Sequence, residues 1–552
     1  MQISKFLSFR DKMVASFLIL VFIFSFSFLG YNIYKNFTKS VPKKGGEYAE
    51  GVLGYPLYIN PLLSQSSDAD SDLTQLIYSG LFKFDKDGKV INDLAEKYEV
   101  SEDEKKYTVF LKKNAVWHDG VALTADDVVF TVNILQDPAY RSVLRQFWQG
   151  IEINKVDDYT VSFSLKNQYF VFLNKLTLGI LPKHLWENVG PERFFLAEYN
   201  LKPVGSGPYK FSAMQKNSDG KVISYELVSF EKYYMEEPYI SKFVLNFYSD
   251  EELMVLDYNN KQIKGMSNIA SSKLSSIKKR AIVREISFPR YFAIFFNQNK
   301  SIPLASEEVR KALAYATDRS AIINNIFQGK AKEAFSPFLA EMKEYNNEIE
   351  KYVFNVEKAN EILENSGWKM NQEKGVREKN GIELKFNIYT VDYWELSETA
   401  KFISKEWEKI GAKAEVSILT ISDLQQNYIR PREYESILLG QDISFSPDPY
   451  AYWHSSQRDD PGLNISLFSD KKADELLEKA HQELDENARI EAYKEFQKII
   501  AEKIPAVFFY SNVYLYPMND EVKGVEINRV NFPAWRFADV NKWYIKTKRV
   551  LK

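Results

Sequence analysis

The sequence predicts a mixed α/β protein with at least two cores behind an N-terminal transmembrane helix, and three observations lead to this prediction. The chain has 552 residues, whereas a single hydrophobic core stops growing at roughly 250–300 residues. Residues 13–34 form an uncharged apolar run. Residues 383–420 carry a strand pattern, a helix pattern and a second strand pattern, which is typical of parallel α/β folds.

The apolar run at 13–34 is long enough to cross a bilayer, because a helix rises ~1.5 Å per residue and the hydrocarbon core is ~30 Å thick. Charges flank it at Lys12 and Lys35. The run exceeds the apolar part of a usual cleaved signal, and no small-x-small cleavage site follows it. We therefore expect residues 1–44 to be a cytoplasmic stub, a retained single-pass cell-membrane anchor and a linker. Cleavage as a secretory signal is the alternative, and both readings place the remainder outside the cytoplasm.

The composition narrows the functional classes. Net charge is −3, so no basic excess points to a nucleic-acid partner. Aromatic residues make up 15% of the chain, which suits a lined cavity as well as a large core. The absence of cysteine excludes disulfides, thiol nucleophiles, cysteine-ligated metals and a lipid-modified cysteine.

A helix is expected in the segment VALTADDVVFTVNILQDP. Thr124 is a suitable N-cap, and Asp127 three residues later completes a capping box with Asp in place of Glu. The Asp-Pro pair at 137–138 ends the helix. The preceding YTVFLKKNAVWHDG predicts a strand followed by a turn at 119–120.

Residues 383–420 predict a βαβ unit with parallel strands and a right-handed crossover. Strand patterns at 383–390 and 412–419 flank a helix that ends before Gly411. The apolar positions of this helix recur every three or four residues and define its buried face: Leu396, Ala400, Ile403, Trp407 and Ile410.

The chain shows no pattern typical of a catalytic or metal site. None of its four histidines is spaced for a metal pair, and the H-E-x-x-H, G-x-S-x-G and P-loop patterns are absent. His118 and Asp119 could form a dyad, but the predicted turn explains them. The 75 acidic residues leave a glycosidase-type carboxylate pair open, although no spacing points to one. We expect no enzyme activity, no catalytic residue, no cofactor and no metal.

Five segments together resemble family 5 of the extracytoplasmic solute-binding proteins, the oligopeptide and dipeptide receptors of ABC importers. They occur in the family's order and extend over most of residues 45–530. The segments are 107–135 with WHDG and TADDVVF, 203–211 (PVGSGPYKF), 296–331, 355–368 (NVEKANEILENSGW) and 456–522.

The resemblance implies a two-lobed clamp of the periplasmic-binding-protein type II, with an extra small subdomain. Lobe I would hold residues 45–290, including the small subdomain at about 65–195, and would be completed by 513–552. Lobe II would be 291–512. A solute would close the two lobes about a hinge.

The resemblance also implies where a peptide would bind. In peptide-binding members an aspartate on the lobe II loop, here at 438–456, pairs with the ligand's α-amino group. Asp442 is our first assignment for this role. Asp448 is the second assignment, and it is kept because Asp442 stands further ahead of the Asp448-Pro449 pair than the family pattern has it. Tyr450 and Trp453 would wall the side-chain pockets.

Four more residues complete the predicted site. Tyr58 and Asn60 lie on the first lobe I loop, where family members contact the ligand backbone. Asn297 and Tyr510 lie near the expected hinge crossings.

The expected function is therefore that of a monomeric, membrane-tethered receptor that captures an oligopeptide-like solute for an ABC permease. Two alternatives stay open. The clamp could serve as a sensor or scaffold at the membrane, or it could bind a non-peptide solute such as a nickel complex or an oligosaccharide.

Overall fold

The computed structural model describes residues 9–278, 281–444 and 447–552, so residues 445 and 446 of the predicted binding loop lie outside the described residues. Strands and helices alternate along most of the chain. The strands are β1 (Thr38–Lys43), β2 (Glu47–Leu53), β3 (Phe82–Phe84), β4 (Val90–Asn92), β5 (Ala95–Val100), β6 (Lys106–Leu111), β7 (Ile151–Asp157), β8 (Thr160–Leu165), β9 (Tyr209–Lys216), β10 (Val222–Ser229), β11 (Lys242–Tyr248), β12 (Gly265–Met266), β13 (Ile282–Ser287), β14 (Arg290–Phe296), β15 (Ala331–Glu333), β16 (Lys369–Asn371), β17 (Val376–Lys379), β18 (Ile382–Glu383), β19 (Lys385–Val391), β20 (Lys413–Leu419), β21 (Ser436–Asp442), β22 (Ala506–Met518) and β23 (Lys546–Leu551). The helices are α1 (Phe9–Phe37), α2 (Asp68–Ile77), α3 (Ala125–Gln136), α4 (Phe172–Lys175), α5 (Lys183–Trp186), α6 (Pro191–Phe194), α7 (Glu251–Asn259), α8 (Ile302–Ala305), α9 (Glu307–Tyr315), α10 (Arg319–Phe327), α11 (Val356–Asn365), α12 (Trp394–Glu408), α13 (Ile421–Asp423), α14 (Tyr450–Trp453), α15 (Lys471–Gln482) and α16 (Glu486–Lys503).

One long sheet runs through the molecule, in the order β20-β19-β21-β14-β22-β12-β2-β11-β10-β9. Strand β22 belongs to both of its halves. Its first part pairs with β14, with Tyr510 opposite Phe292, and its second part pairs with β13, with Tyr514 opposite Ile286. The chain therefore passes between the halves at 288–289 and again within β22.

The apolar cores divide at the same place. The largest core draws its residues from 48–288 and from 514–543. Two further cores draw theirs from 291–510. We call the part built on the largest core lobe I and the part between residues 291 and 510 lobe II. The outer boundaries of the lobes, and the extent of the small subdomain, stay predictions.

The sequence patterns that predicted a mixed α/β fold are confirmed. Strands β19 and β20 pair in parallel on either side of α12. The predicted apolar face of this helix is buried, and Gly411 has the positive φ of +74° that ends such a helix. Helix α3 begins with the predicted capping box, in which the Thr124 N–H donates to Asp127 Oδ2 over 2.9 Å.

His118 joins two segments that are distant in the sequence. Its Nδ1 accepts a hydrogen bond from the Gly205 N–H at 3.2 Å, and its Nε2 lies 3.0 Å from the Gly207 carbonyl oxygen. The ring is therefore neutral, with the proton on Nε2. A side chain at Gly205 would meet the Ile77 carbonyl oxygen at 2.0 Å, so this turn requires glycine. The WHDG and PVGSGPYKF segments are thus structural, as the turn interpretation predicts.

A buried charge cluster attaches the C-terminal segment to lobe I. The Arg536 guanidinium donates to Glu50 Oε1 at 2.7 Å and to Asp72 Oδ1 at 2.6 Å, and all three side chains are fully buried. Tyr48 donates a further hydrogen bond to Glu50 at 2.7 Å. Burial raises the pKa of Asp72 to about 7 although Arg536 lowers it. Losing Arg536 would leave two carboxylates buried without a cation, a strongly destabilising change.

The N-terminal helix α1 is 29 residues long, has no buried residue, and is long and apolar enough to cross a membrane. Residues 38–43, predicted to be linker, instead form β1 and pair with the C-terminal strand β23. Arg549 of β23 donates to the Lys35 carbonyl oxygen at 3.0 Å and to Thr38 Oγ1 at 2.7 Å. Because the partner strand lies about 500 residues away, local patterns could not reveal this pairing.

Stability is expected to fall in mild acid because of His118. Burial lowers the pKa of His118 from 6.5 to about 4. The unfolded chain then binds the proton more readily than the folded chain, so stability is lost as pH falls from about 6.5 towards 4. A shift of this size corresponds to roughly 3 kcal/mol. Denaturant unfolding of the wild type and of His118→Gln at pH 7.5 and 4.5 measures the loss. Equal losses in both proteins would contradict the assignment.

Candidate functional site

A cavity of about 420 Å³ lies at the boundary between the lobes. Most of its wall belongs to lobe I and to the C-terminal segment. Its lining side chains come from 61–84, Asp93, 144–148, 174–179, 531–538 and Ser444. Within the described part of the chain, Ser444 is the one lining residue of lobe II, and it lies two residues after Asp442. The loop predicted to bind the ligand therefore reaches this cavity.

The cavity wall combines neutral polar groups with aromatic faces. Hydroxyl and amide side chains line much of it: Ser64, Gln65, Ser71, Thr74, Gln75, Asn174, Thr177 and Asn531. Aromatic rings line another part: Tyr78, Phe82, Phe84, Phe147, Trp148, Phe532 and Trp535. Four charged side chains also line the cavity: Asp68, Lys83, Asp93 and Lys175. Phe84 and Trp535 stack with centroids 3.7 Å apart. Such a wall can hydrogen-bond a polar backbone and also cover apolar substituents.

Asp442 ends strand β21 beside the crossing between the lobes. Its Oδ2 accepts a hydrogen bond from Arg290 Nη2 at 3.0 Å, and Oδ1 contacts Arg290 Nε. The carboxylate is nearly half exposed. Burial raises the pKa of Tyr452 to about 12, and the charge of Asp442 adds to this rise. Asp442 is thus an accessible carboxylate that Arg290 already neutralises.

Asp448 is better covered and fully engaged. Its Oδ2 lies 2.7 Å from His481 Nδ1, and its Oδ1 accepts a hydrogen bond from the Tyr450 N–H at 3.2 Å. Its side chain is 16% exposed. Asp448 therefore fixes the turn before α14 and its contact with α15.

The two aromatic residues of the loop occupy different environments. Tyr450 is half-buried and stacks on His454 with centroids 4.2 Å apart. Trp453 is a core residue of lobe II, 1% exposed, and its Nε1 donates to the Tyr291 hydroxyl at 3.3 Å. His454 is buried and hydrogen-bonded to Ser456, as expected for a structural histidine.

Tyr58 and Asn60 lie together on the loop between β2 and α2. The Tyr58 N–H donates to Asp70 Oδ1 at 2.8 Å, and its ring contacts Phe195. Asn60 is fully buried and donates to Asn200 Oδ1 at 3.1 Å. Neither lines the cavity. The described contacts of Asn60 hold the loop in shape.

Asn297 and Tyr510 lie at opposite ends of β14. Tyr510 is next to the crossing, where its buried ring stacks on Phe292 with centroids 4.9 Å apart. Asn297 follows the far end of β14, and its side chain donates to the Arg432 carbonyl oxygen at 3.1 Å. The structure therefore places Asn297 away from the crossing, because β14 extends through lobe II before reaching it.

Direct contacts across the boundary hold the lobes together. Lobe I supplies Tyr169, whose ring lies 5.4 Å from that of His481, and Phe170, whose ring lies 4.1 Å from the Arg489 guanidinium carbon. Beside the cavity, Asn531 Nδ2 donates to Ser444 Oγ at 3.0 Å.

Sequence reasoning missed most of the residues at this boundary. They are Tyr169, Phe170, Lys175, Arg290, His481, Arg489 and Asn531. His481 is one of only four histidines, which offered a weak signal. The other residues of this list belong to no recognisable sequence motif, since their places at the boundary depend on how the two lobes pack together.

Comparison with known proteins is consistent with this architecture. A family profile described as "Bacterial extracellular solute-binding proteins, family 5 Middle" matches residues 89–463. The oligopeptide-binding protein AppA of Bacillus subtilis is 28% identical over 517 residues, covering 91% of this chain and 92% of AppA. The dipeptide-binding protein of Escherichia coli is 27% identical over 516 residues, covering 86% of this chain and 91% of that protein.

Solved structures share the fold. The structure of AppA from Bacillus subtilis in complex with a nonapeptide has a TM-score of 0.74 at 27% identity, covering 92% of this chain and all of that one. NikZ from Campylobacter jejuni in complex with Ni(L-His) has a TM-score of 0.74 at 26% identity, covering 91% of this chain and all of that one. The predicted resemblance and the predicted clamp fold are confirmed.

Removing the Phe170–Arg489 contact is expected to favour separation of the lobes. A cation–π contact contributes about 0.5–2 kcal/mol, so Phe170→Ala should shift the balance between joined and separated lobes by roughly 2- to 30-fold towards separation. Small-angle X-ray scattering should then give a larger radius of gyration without solute. Phe354→Ala, at an exposed lobe II position, is the control, and an equal change in both variants would exclude the proposed contribution of Phe170.

Proposed function

Because the chain belongs to family 5 of the bacterial extracellular solute-binding proteins, we propose that it is the peptide receptor of an ABC importer. It captures an oligopeptide-like solute between its lobes, delivers it unaltered to the permease, and catalyses no reaction. The observation that carries this proposal is the 420 Å³ cavity lined by lobe I and by Ser444 of the lobe II loop.

The cavity's size and lining support a peptide solute. Ligand sites usually have volumes of roughly 300–1,000 Å³. The hydroxyl and amide groups of the wall donate and accept hydrogen bonds, as a peptide backbone requires. The aromatic rings cover side chains of different shapes without requiring one of them.

Asp442 is the proposed partner of the ligand's α-amino group. Both of its oxygens contact Arg290, but its side chain is 45% exposed, whereas that of Asp448 is 16% exposed. A carboxylate can accept several hydrogen bonds, so an ammonium can share Asp442 with Arg290. Of the other predicted residues, Tyr450 stays a candidate for a pocket wall. The buried contacts of Trp453, Asn60, Asn297 and Tyr510 favour supporting roles.

Retention of the N-terminal anchor is part of the proposal. The β1–β23 ribbon begins directly after α1, and Arg549 hydrogen-bonds the Lys35 carbonyl oxygen at the end of that helix. The C-terminal strand is therefore built onto the segment that follows the membrane helix. This favours a tethered monomer whose globular part faces outwards over a secreted protein.

Calorimetry with short peptides tests the receptor function and Asp442 together. Wild-type protein should bind a tripeptide with a free amino end more tightly than its acetylated form, and the peptide should be recovered intact. Asp442→Asn should lose most of this preference, roughly 10-fold or more for a charge-assisted hydrogen bond. Asp448→Asn is the control variant, because Asp448 is the second candidate for binding the amino group. An unchanged preference in Asp442→Asn would show that Asp442 does not bind the amino group. Binding of nickel–histidine but of no peptide would show that the solute is a metal complex.

Intact-mass measurement of the membrane-extracted protein tests the anchor. Because the ribbon continues from α1, the mature chain should retain residues 9–37 and have the mass of the full sequence, 64.2 kDa. A mass that lacks the apolar segment would show cleavage and a secreted receptor.

A further inference from the structure

We propose that Lys175 binds a carboxylate of the solute inside the interlobe cavity. This inference rests on the proposed peptide-receptor function and identifies the chemical class of its ligands as peptides with a free carboxylate. The carboxylate could be the C-terminal group or an acidic side chain, and the two sources can be distinguished experimentally.

Lys175 is the last residue of α4 and lines the cavity. Its Nζ lies between two aromatic rings, 5.4 Å from the centroid of Phe147 and 5.1 Å from that of Tyr169. Phe147 lines the same cavity. Among the described residues, no group forms an ion pair or a hydrogen bond with the Lys175 ammonium. Its ammonium is thus held at the cavity by ring faces alone.

Lys83 shows what a satisfied lysine in the same wall looks like. It also lines the cavity, but its Nζ donates to Asp539 Oδ1 at 3.1 Å and to the Ala538 carbonyl oxygen at 3.2 Å. Lys83 is therefore committed to the fold. Lys175 is available to a solute.

The charged surroundings of Lys175 favour an anionic guest. Burial lowers the pKa of Lys175 to about 8, and Asp448 across the boundary opposes this shift only in part. Asp448 itself lies 2.7 Å from His481 Nδ1. The carboxylates that line the cavity are Asp68 and Asp93, and Asp93 accepts a hydrogen bond from the Tyr234 hydroxyl at 2.6 Å. Tyr169 carries no charge at neutral pH, and burial raises its pKa further above the ordinary value. A partly buried ammonium without a direct partner gains from a carboxylate, which forms a charge-assisted hydrogen bond with it.

The experiment is calorimetry of the full-length protein with three peptides: trialanine, trialanine amide and Ala-Glu-Ala amide. Wild type should prefer trialanine over its amide by roughly 10- to 100-fold, the range of a hydrogen bond between charged groups. If Ala-Glu-Ala amide binds as tightly as trialanine, an acidic side chain can also supply the carboxylate that Lys175 binds. If Ala-Glu-Ala amide binds as weakly as trialanine amide, the C-terminal group of the peptide supplies the carboxylate.

The variants separate Lys175 from the rest of the cavity. Lys175→Met should reduce the preference for a carboxylate to about twofold or less. Lys166→Met, at an exposed lobe I lysine outside the cavity lining, is the control and should keep the wild-type preference. Lys175→Arg should also keep most of it, and it provides a folded comparison if Lys175→Met proves unstable. A Lys175→Met protein that keeps the wild-type preference would overturn the inference.

A measurement on the wild type alone gives a second test. Affinity for trialanine should be highest below pH 8 and should fall between pH 8 and 9.5, because the free lysine loses its proton there. Affinity for the amide should change less over this range. Equal pH dependence for both peptides would overturn the role of Lys175 while leaving peptide binding intact. Failure of the wild type to bind any peptide would instead overturn the proposed function.

Discussion

The shared strand β22 is the constraint on which the rest of the structure depends. Its first half completes the sheet of lobe II and its second half completes that of lobe I, so the lobes are neither independent domains nor one body. The chain crosses between them beside this strand, at 288–289. Two neighbouring chain crossings allow one lobe to rotate relative to the other about the line that joins the crossings. They resist a sliding of the lobes past each other, as a hinge requires. The cavity lies where the lobes meet, so its shape depends on the angle between them.

The charges of the molecule serve two purposes. Arg536, Glu50 and Asp72 are fully buried and attach the C-terminal segment to lobe I, where their role is structural. Charges at the interlobe boundary are covered only in part. Asp442 retains an accessible carboxylate, and Lys175 borders the cavity without a direct ionic partner among the described residues. A solute that brings an ammonium and a carboxylate would complement both, which fits a short zwitterionic peptide better than a neutral sugar.

The residues predicted for the binding site stay predictions, although one residue of the predicted loop lines the cavity. The loop before Tyr450 could be located because its prolines and acids stand out against helix and strand patterns, and Ser444 of this loop does reach the cavity. Trp453 was selected as an aromatic residue and Asn297 for its place near an expected hinge crossing, yet the fold buries both side chains. Phe170 and Lys175 could not be selected at all. Their local sequence is ordinary, and only the packing of the segment around Tyr169 and Phe170 against lobe II gives them a place at the boundary.

The sequence by itself determined the membrane-length helix, the capping box of α3, the βαβ unit and the membership of a two-lobed family. The first three each depend on residues within about 40 positions of one another, where spacing and side-chain type limit the possible conformations. The family membership depends on five short segments that occur in the family's order. Only the tertiary structure decided the β1–β23 ribbon, the Arg536 cluster and the residues that line the cavity. These join residues hundreds of positions apart, and such pairings are fixed by the packing of whole lobes, which local patterns do not encode.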